Sequence, residues 1–113
     1  MSRSRIRAKD NEEPAERLCP RFHRAVELIG RRWSGAIIRV LLAGPCRFNE
    51  MLAVVPGISD RLLSERLREL EAEGIVGRTV LQSPVRSVYE LTPRGRALEG
   101  PLRAIEDWAQ EWP

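Results

Sequence analysis

The most constraining feature of this 113-residue chain is the stretch 47–91, where the apolar spacing changes period around fixed turn residues. Phe48, Met51, Leu52 and Val55 recur at intervals of three and four, which predicts a short helix over residues 47–54 with those side chains inward. Pro56-Gly57 then forces a turn, because proline stiffens the approach and glycine supplies conformational freedom. Ser59 follows as the natural N-cap of a second helix, its hydroxyl able to accept an N–H from Arg61 or Leu62. Leu62 or Leu63, then Leu67 and Leu70, form an inner stripe that leaves Asp60, Arg61, Ser64, Glu65 and Arg68 outside. Past Gly74 the period falls to two. Residues 75–81 and 85–91 read as strands, with Pro84 at the tip of the hairpin, where its missing N–H costs no ladder bond.

The flanking segments read as a platform and a closing helix. Residues 1–15 have almost no apolar content, with Arg3, Arg5, Arg7 and Lys9 followed by Asp10, Glu12 and Glu13, and are expected to form a flexible arm. The remainder, 16–113, is expected to be one domain. Pro20 suits a helix start, Phe22, Val26 and Ile29 keep helical spacing, and Gly30 suits its end. Residues 33–42 predict a second helix buried on a wide face through Ile37, Ile38, Leu41 and Leu42, with Ser34 as a candidate N-cap and Gly44-Pro45 as its stop. Thr92-Pro93 marks another helix start, and Gly100-Pro101 is expected to kink or split the helix that follows.

Composition narrows the chemistry. The net charge is only +3, but eighteen of the nineteen basic residues are arginine, whose planar fork suits phosphates and guanine edges. High arginine also follows from a GC-rich genome, so the placement of the arginines matters more than their number. No run is long and apolar enough to span a membrane and no apolar leader follows Met1, so a cytoplasmic protein is expected. Cys19, Cys46 and the lone His23 make neither a disulfide framework nor a metal knuckle, and no nucleophile-base-acid set stands out. The chain therefore reads as no enzyme, without cofactor or metal.

Helix, tight turn, helix and hairpin in this order form a winged helix-turn-helix: an α+β, mainly helical fold, with 46–74 as the helix pair, 75–91 as a two-stranded wing and 92–113 as a dimerisation helix. In this architecture the N-terminal part of the second helix meets base edges in the major groove. Asp60, Arg61, Ser64 and Glu65 are the candidate base contacts, with Arg61 suited to guanine O6 and N7. Arg47, Ser59, Arg68, Arg78 and Arg86 are candidates for the DNA backbone. A stripe of Leu98, Leu102, Ile105, Trp108 and Trp112 exceeds what one modest core needs, and with Phe22 and Val26 it predicts a homodimer interface about a two-fold axis. Cys19, next to Pro20 and between Arg17 and Arg21, is the candidate redox-sensing thiol.

In this order, Cys19-Pro20, Ile29-Gly30 with Trp33, Leu42-Ala43-Gly44-Pro45, Arg47-Phe48-Asn49-Glu50, Pro56-Gly57-Ile58-Ser59, Leu67-Arg68-Glu69-Leu70-Glu71 with Gly74, and Tyr89-Glu90-Leu91-Thr92 with Gly95 resemble the HxlR-type winged helix-turn-helix regulators of bacteria and archaea. The resemblance covers roughly residues 19–112. It implies a homodimeric transcription factor on a palindromic site of double-stranded DNA, read here as a repressor, with terminal helices paired, recognition helices in successive major grooves and wings on the flanking minor groove. Several members of that family sense oxidants or electrophiles through a cysteine just before the first core helix, the place of Cys19, and others answer to small molecules. Cys46 has no counterpart in the family pattern. The competing readings are a multidrug-type winged helix repressor and a winged helix that binds protein instead of an operator.

Overall fold

The structure is a computed structural model that describes residues 19–113. The arm expected over 1–15 lies outside the described residues. The chain divides into two compact units, one ending at Gly30 and one running from Arg31 to Pro113. In the first, helix α1 (Pro20–Gly30) starts with proline at its first position, and the Cys19 carbonyl accepts the His23 N–H at 3.0 Å. No residue of α1 is buried, and Phe22 and Val26 are exposed.

The second unit contains α2 (Ser34–Leu42), β1 (Cys46–Arg47), α3 (Phe48–Val54), α4 (Asp60–Ala72), β2 (Val76–Gln82), β3 (Val85–Leu91), α5 (Pro93–Arg96) and α6 (Glu99–Glu111). Its core takes Ile37, Ile38 and Leu41 from α2, Met51 and Val55 from α3 and its turn, Leu63, Leu67 and Leu70 from α4, and Ile75, Val76, Tyr89 and Leu91 from the sheet. Of the two leucines open for the inner stripe of α4, Leu63 is the buried one and Leu62 is only half-buried.

Local chemistry fixes both ends of α4. The Ser59 hydroxyl accepts the Leu62 N–H at 3.1 Å, as expected of an N-cap. At the other end Gly74 takes φ of 74°, while the Ile75 N–H reaches the Leu70 carbonyl and the Gly74 N–H reaches that of Glu71. That is the paired closure made when a left-handed residue follows a helix, and glycine adopts it without steric cost.

Four expectations need correction. Ser34 does not cap α2: it is buried as the first residue of the helix, and Trp33 stands at the cap position with φ of 79°. The helix expected over 47–54 begins at Phe48, because Cys46 and Arg47 form a strand that pairs with Tyr89 and Val88 and adds a third strand beside the two-stranded wing, in the order β1-β3-β2. The first wing strand starts at Val76, with Ile75 lent to the end of α4. The terminal helix does split, but at Ala97 and Leu98. Gly100 and Pro101 lie in the first turn of α6, where a proline lacks only an N–H that has no intrahelical partner.

The joint between wing and α5 is tight. The Thr92 side chain accepts the Gly95 N–H at 3.1 Å and donates to the Gly74 carbonyl, while its own N–H meets the Ile75 carbonyl at 3.0 Å. A Cβ on Gly95 would collide with the Ile75 carbonyl oxygen and press on Leu91. Gly95→Ala is therefore expected to lower unfolding free energy by about 1–3 kcal/mol, read as a lower urea midpoint at unchanged slope.

Candidate nucleic-acid interface

Three elements present the candidate contacts: α4, the wing, and the junction of β1 with α3. On α4 the buried leucine stripe turns the opposite face outward. Arg61 sits in the first turn with 85% of its side chain exposed, paired among the described residues with Glu65 at 3.4 Å. Asp60 and Arg68 are exposed, and Ser64 and Glu65 are half-buried. Glu65 also lies 3.8 Å from Arg66, so its carboxylate is shared between two guanidiniums. An exposed pair such as Arg61–Glu65 is worth little, about 0.3–0.5 kcal/mol, so Arg61 can leave it for a stronger acceptor.

Arg66 is the residue that sequence reasoning passed over. It is 8% exposed, its Nε donates to the Arg32 carbonyl at 2.9 Å, and its Nη1 lies 3.4 Å from Glu69. A buried arginine at a leucine-rich helix face carries no sequence signal of its own, since its partner is a backbone carbonyl 34 residues away. The same corner holds Trp33, whose ring edge would lie 3.4 Å from a Cβ at Gly57, while the Arg32 guanidinium rests 5.2 Å from the ring centroid. Gly57, at φ of 87°, takes a left-handed conformation that favours glycine, with the indole in van der Waals reach beside it.

Strands β2 and β3 pair in register from Val76↔Leu91 to Gln82↔Val85, closing on Ser83 and Pro84. Arg78 lies near the root of the wing, 3.6 Å from Glu71 of α4. Arg86 lies near the tip, donating to the Pro84 carbonyl at 3.2 Å. Val80, Leu81 and Val85 leave apolar surface exposed around that tip.

Arg47 and Arg86, far apart in sequence, line one cleft of about 540 Å³, together with Phe48, Asn49, Glu50, Ser87 and Tyr89. Glu50 accepts the Arg47 N–H at 2.8 Å and lies 3.6 Å from its guanidinium. Those bonds, the backbone N–H foremost, hold the Glu50 carboxyl below its ordinary range. Beside it the Cys46 thiol is pushed up by burial, then by the charge of Glu50 and a hydrogen bond to it. Cys46 is therefore a protonated thiol at neutral pH, half-buried against a carboxylate.

The residues assigned to self-association separate into two kinds. Leu102 is buried within its own chain and serves the core, while Leu98 is half-buried. Ile105, Trp108 and Trp112 are exposed on or just beyond α6, the two tryptophans by 63% and 64%. An ion pair of Arg39 with Glu106 at 2.8 Å ties α6 to α2 and leaves that apolar face turned away. Among the described residues there is no group of three or more potential metal ligands and no helix long and apolar enough to cross a membrane.

The family model described as HxlR-like helix-turn-helix matches residues 28–113. Among curated proteins the chain is 49% identical over 96 residues to YvaP, an HTH-type transcriptional regulator of Bacillus subtilis, with 84% of this chain and 89% of YvaP covered. It is 44% identical over 96 residues to YodB of the same organism, covering 84% and 86%. The reduced form of YodB superposes with a TM-score of 0.78 over 84% of this chain and 94% of that one, and YodB has also been solved quinone-bound and diamide-treated. The oxidised form of the redox regulator HypR, 38% identical, superposes at 0.76 over 82% and 96%.

The environment of Cys46 yields a direct expectation. With Cys19 replaced by serine, the rate of Cys46 alkylation by iodoacetamide should rise with pH around a midpoint above the ordinary thiol range. Glu50→Gln should move that midpoint down, because it removes the negative charge that disfavours the thiolate. A midpoint below the ordinary range would contradict the burial and charge described.

Proposed function

The chain belongs to the HxlR-like helix-turn-helix family of transcriptional regulators, and on that premise we propose that it is a homodimeric repressor of a palindromic operator whose affinity is set by the state of a thiol. Helix α4 carries this reading. Its leucine face is buried and its first turn, capped by Ser59, offers Arg61 almost wholly to solvent at the positive end of the helix. Arg61 reads guanine, with Glu65 and Asp60 orienting it or accepting from cytosine N4, and Ser64 bonds locally to a base. Ser59, Arg47, Arg68, Arg78 and Arg86 meet phosphates and set the register.

The second copy joins through α6. Ile105, Trp108 and Trp112 cover their counterparts about a two-fold axis, with Phe22 and Val26 adding apolar surface from α1. Burying a large apolar side chain is worth roughly 1.5–3 kcal/mol, so both tryptophans of each copy supply a substantial part of a stable interface. Cys19 is the switch. Its thiol is exposed immediately before α1, and the relatives include the redox regulator HypR and the quinone-bound YodB. An oxidant or a small electrophile that modifies it lowers operator affinity.

Fluorescence anisotropy on the intergenic DNA upstream of its own gene tests both parts. Arg61→Ala is expected to lose about 1–3 kcal/mol of discrimination between operator and scrambled DNA, and Arg68→Ala to weaken both about equally. Diamide is expected to lower affinity in the wild type and to leave Cys19→Ser unchanged. Operator binding that survives the Arg61→Ala, Arg68→Ala double variant would instead favour a winged helix that engages protein. Oxidation without effect on the wild type would remove the switch.

A further inference from the structure

The cleft between β1, α3 and the wing has a composition that the general picture of arginines on phosphates leaves unexplained. Two guanidiniums, Arg47 and Arg86, stand at its walls with two neutral polar side chains, Asn49 and Ser87, and one carboxylate, Glu50. Phe48 and the buried Tyr89 close the rest. A carboxylate beside the arginine that is to meet an anion is costly for binding unless it has another task.

Its task is visible in the geometry. Glu50 is the third residue of α3, and one oxygen caps the helix by accepting the Arg47 N–H at 2.8 Å. The other reaches the Arg47 guanidinium at 3.6 Å, which holds that long side chain over the cleft instead of leaving it free in solvent. On the opposite wall Arg86 is bonded to the Pro84 carbonyl at 3.2 Å, which likewise limits its reach. In a helix-turn-helix the first helix crosses the DNA backbone, and the N-terminal end of that helix, α3, lines this cleft.

Resting on the regulator reading, we propose that this cleft seats one DNA backbone phosphate between Arg47 and Arg86, with Asn49 and Ser87 as its neutral donors and Glu50 as the positioning residue that aims Arg47 and restrains the affinity. Phosphate entering the seat displaces the guanidinium from Glu50. The carboxylate stays behind on the backbone N–H, close to the new anion. The seat therefore selects position over strength. It fixes where the wing stands relative to the backbone and keeps sequence-independent binding weak, so that the contacts of α4 decide between sites.

The test is the salt dependence of binding to an operator duplex and to an unrelated duplex of equal length, using the full chain. Arg47→Ala should flatten the slope of log K against log salt by about 1 on both duplexes. Glu50→Gln keeps an acceptor for the Arg47 N–H, so α3 remains capped, but removes the charge. It should steepen the slope by about 1 and tighten both complexes about three- to tenfold at 0.1 M salt, with the unrelated duplex gaining at least as much. Asn49→Ala and Ser87→Ala should each weaken both complexes about two- to fivefold without changing the slope, since neither removes a charge. Glu50→Gln that weakens binding or leaves the slope unmoved would overturn the proposal, as would an Asn49→Ala, Ser87→Ala pair of wild-type affinity. If those variants fail while Arg61→Ala still erases operator preference, the seat alone falls. If the wild type binds neither duplex, the seat and the regulator reading fall together.

Discussion

The placement of α4 depends on one hydrogen bond made by a buried side chain, from Arg66 to the carbonyl of Arg32. Arg32 and Trp33 form the corner that leads into α2, and Trp33 holds a left-handed backbone that costs a non-glycine residue about 1–2 kcal/mol. That conformation turns the indole over Gly57 in the turn between α3 and α4 and lets α2 start with a buried Ser34. The corner is thus fastened to α4 by a charge-assisted bond and to the turn by an aromatic contact. Without Arg66 the Arg32 carbonyl would lose its partner, and the angle at which α4 presents Arg61 would no longer be fixed from that side.

Around this fastened frame the surface charges are held loosely. Arg61 with Glu65, Arg47 with Glu50 and Arg78 with Glu71 are exposed or half-exposed pairs at 3.4–3.6 Å. Such pairs add little to stability, yet each keeps a flexible arginine near the place where a phosphate or base edge would take it. Carboxylates thus neutralise these sites in the free protein, whose net charge is only +3.

Much of this fold was legible because helix ends and periods are local. Ser59 caps α4, Thr92 caps α5, Gly74 closes α4 and Pro84 stands in the hairpin turn, each for reasons contained within a few residues. What escaped were features decided by distant partners. Arg66 answers to a carbonyl 34 residues away, and β1 exists only because β3 arrives beside it more than 40 positions later. Ser34 looked like a cap from its chemistry, but the left-handed Trp33 takes the cap position and the helix starts one residue earlier, with Ser34 buried. The break before α6 follows from the Thr92 and Gly95 contacts with Ile75, which fix α5 against the sheet ahead of the Gly100-Pro101 pair. In the candidate interface, residue types on α4 and the wing could be named from spacing. Their grouping could not: that Arg47 and Arg86 share a cleft with Glu50 between them is a consequence of the third strand.

On the proposed reading, two copies docked about a two-fold axis, each with α4 in a major groove and its wing along the flanking backbone, would make a definite pattern on the DNA. Hydroxyl-radical footprinting of the operator complex reads it at single-nucleotide resolution. Protection should appear as two equivalent sets of backbone positions related by a dyad, with centres about 10 base pairs or a small multiple of that apart. A single asymmetric patch, or uniform protection without a dyad, would contradict the dimeric winged-helix mode of binding.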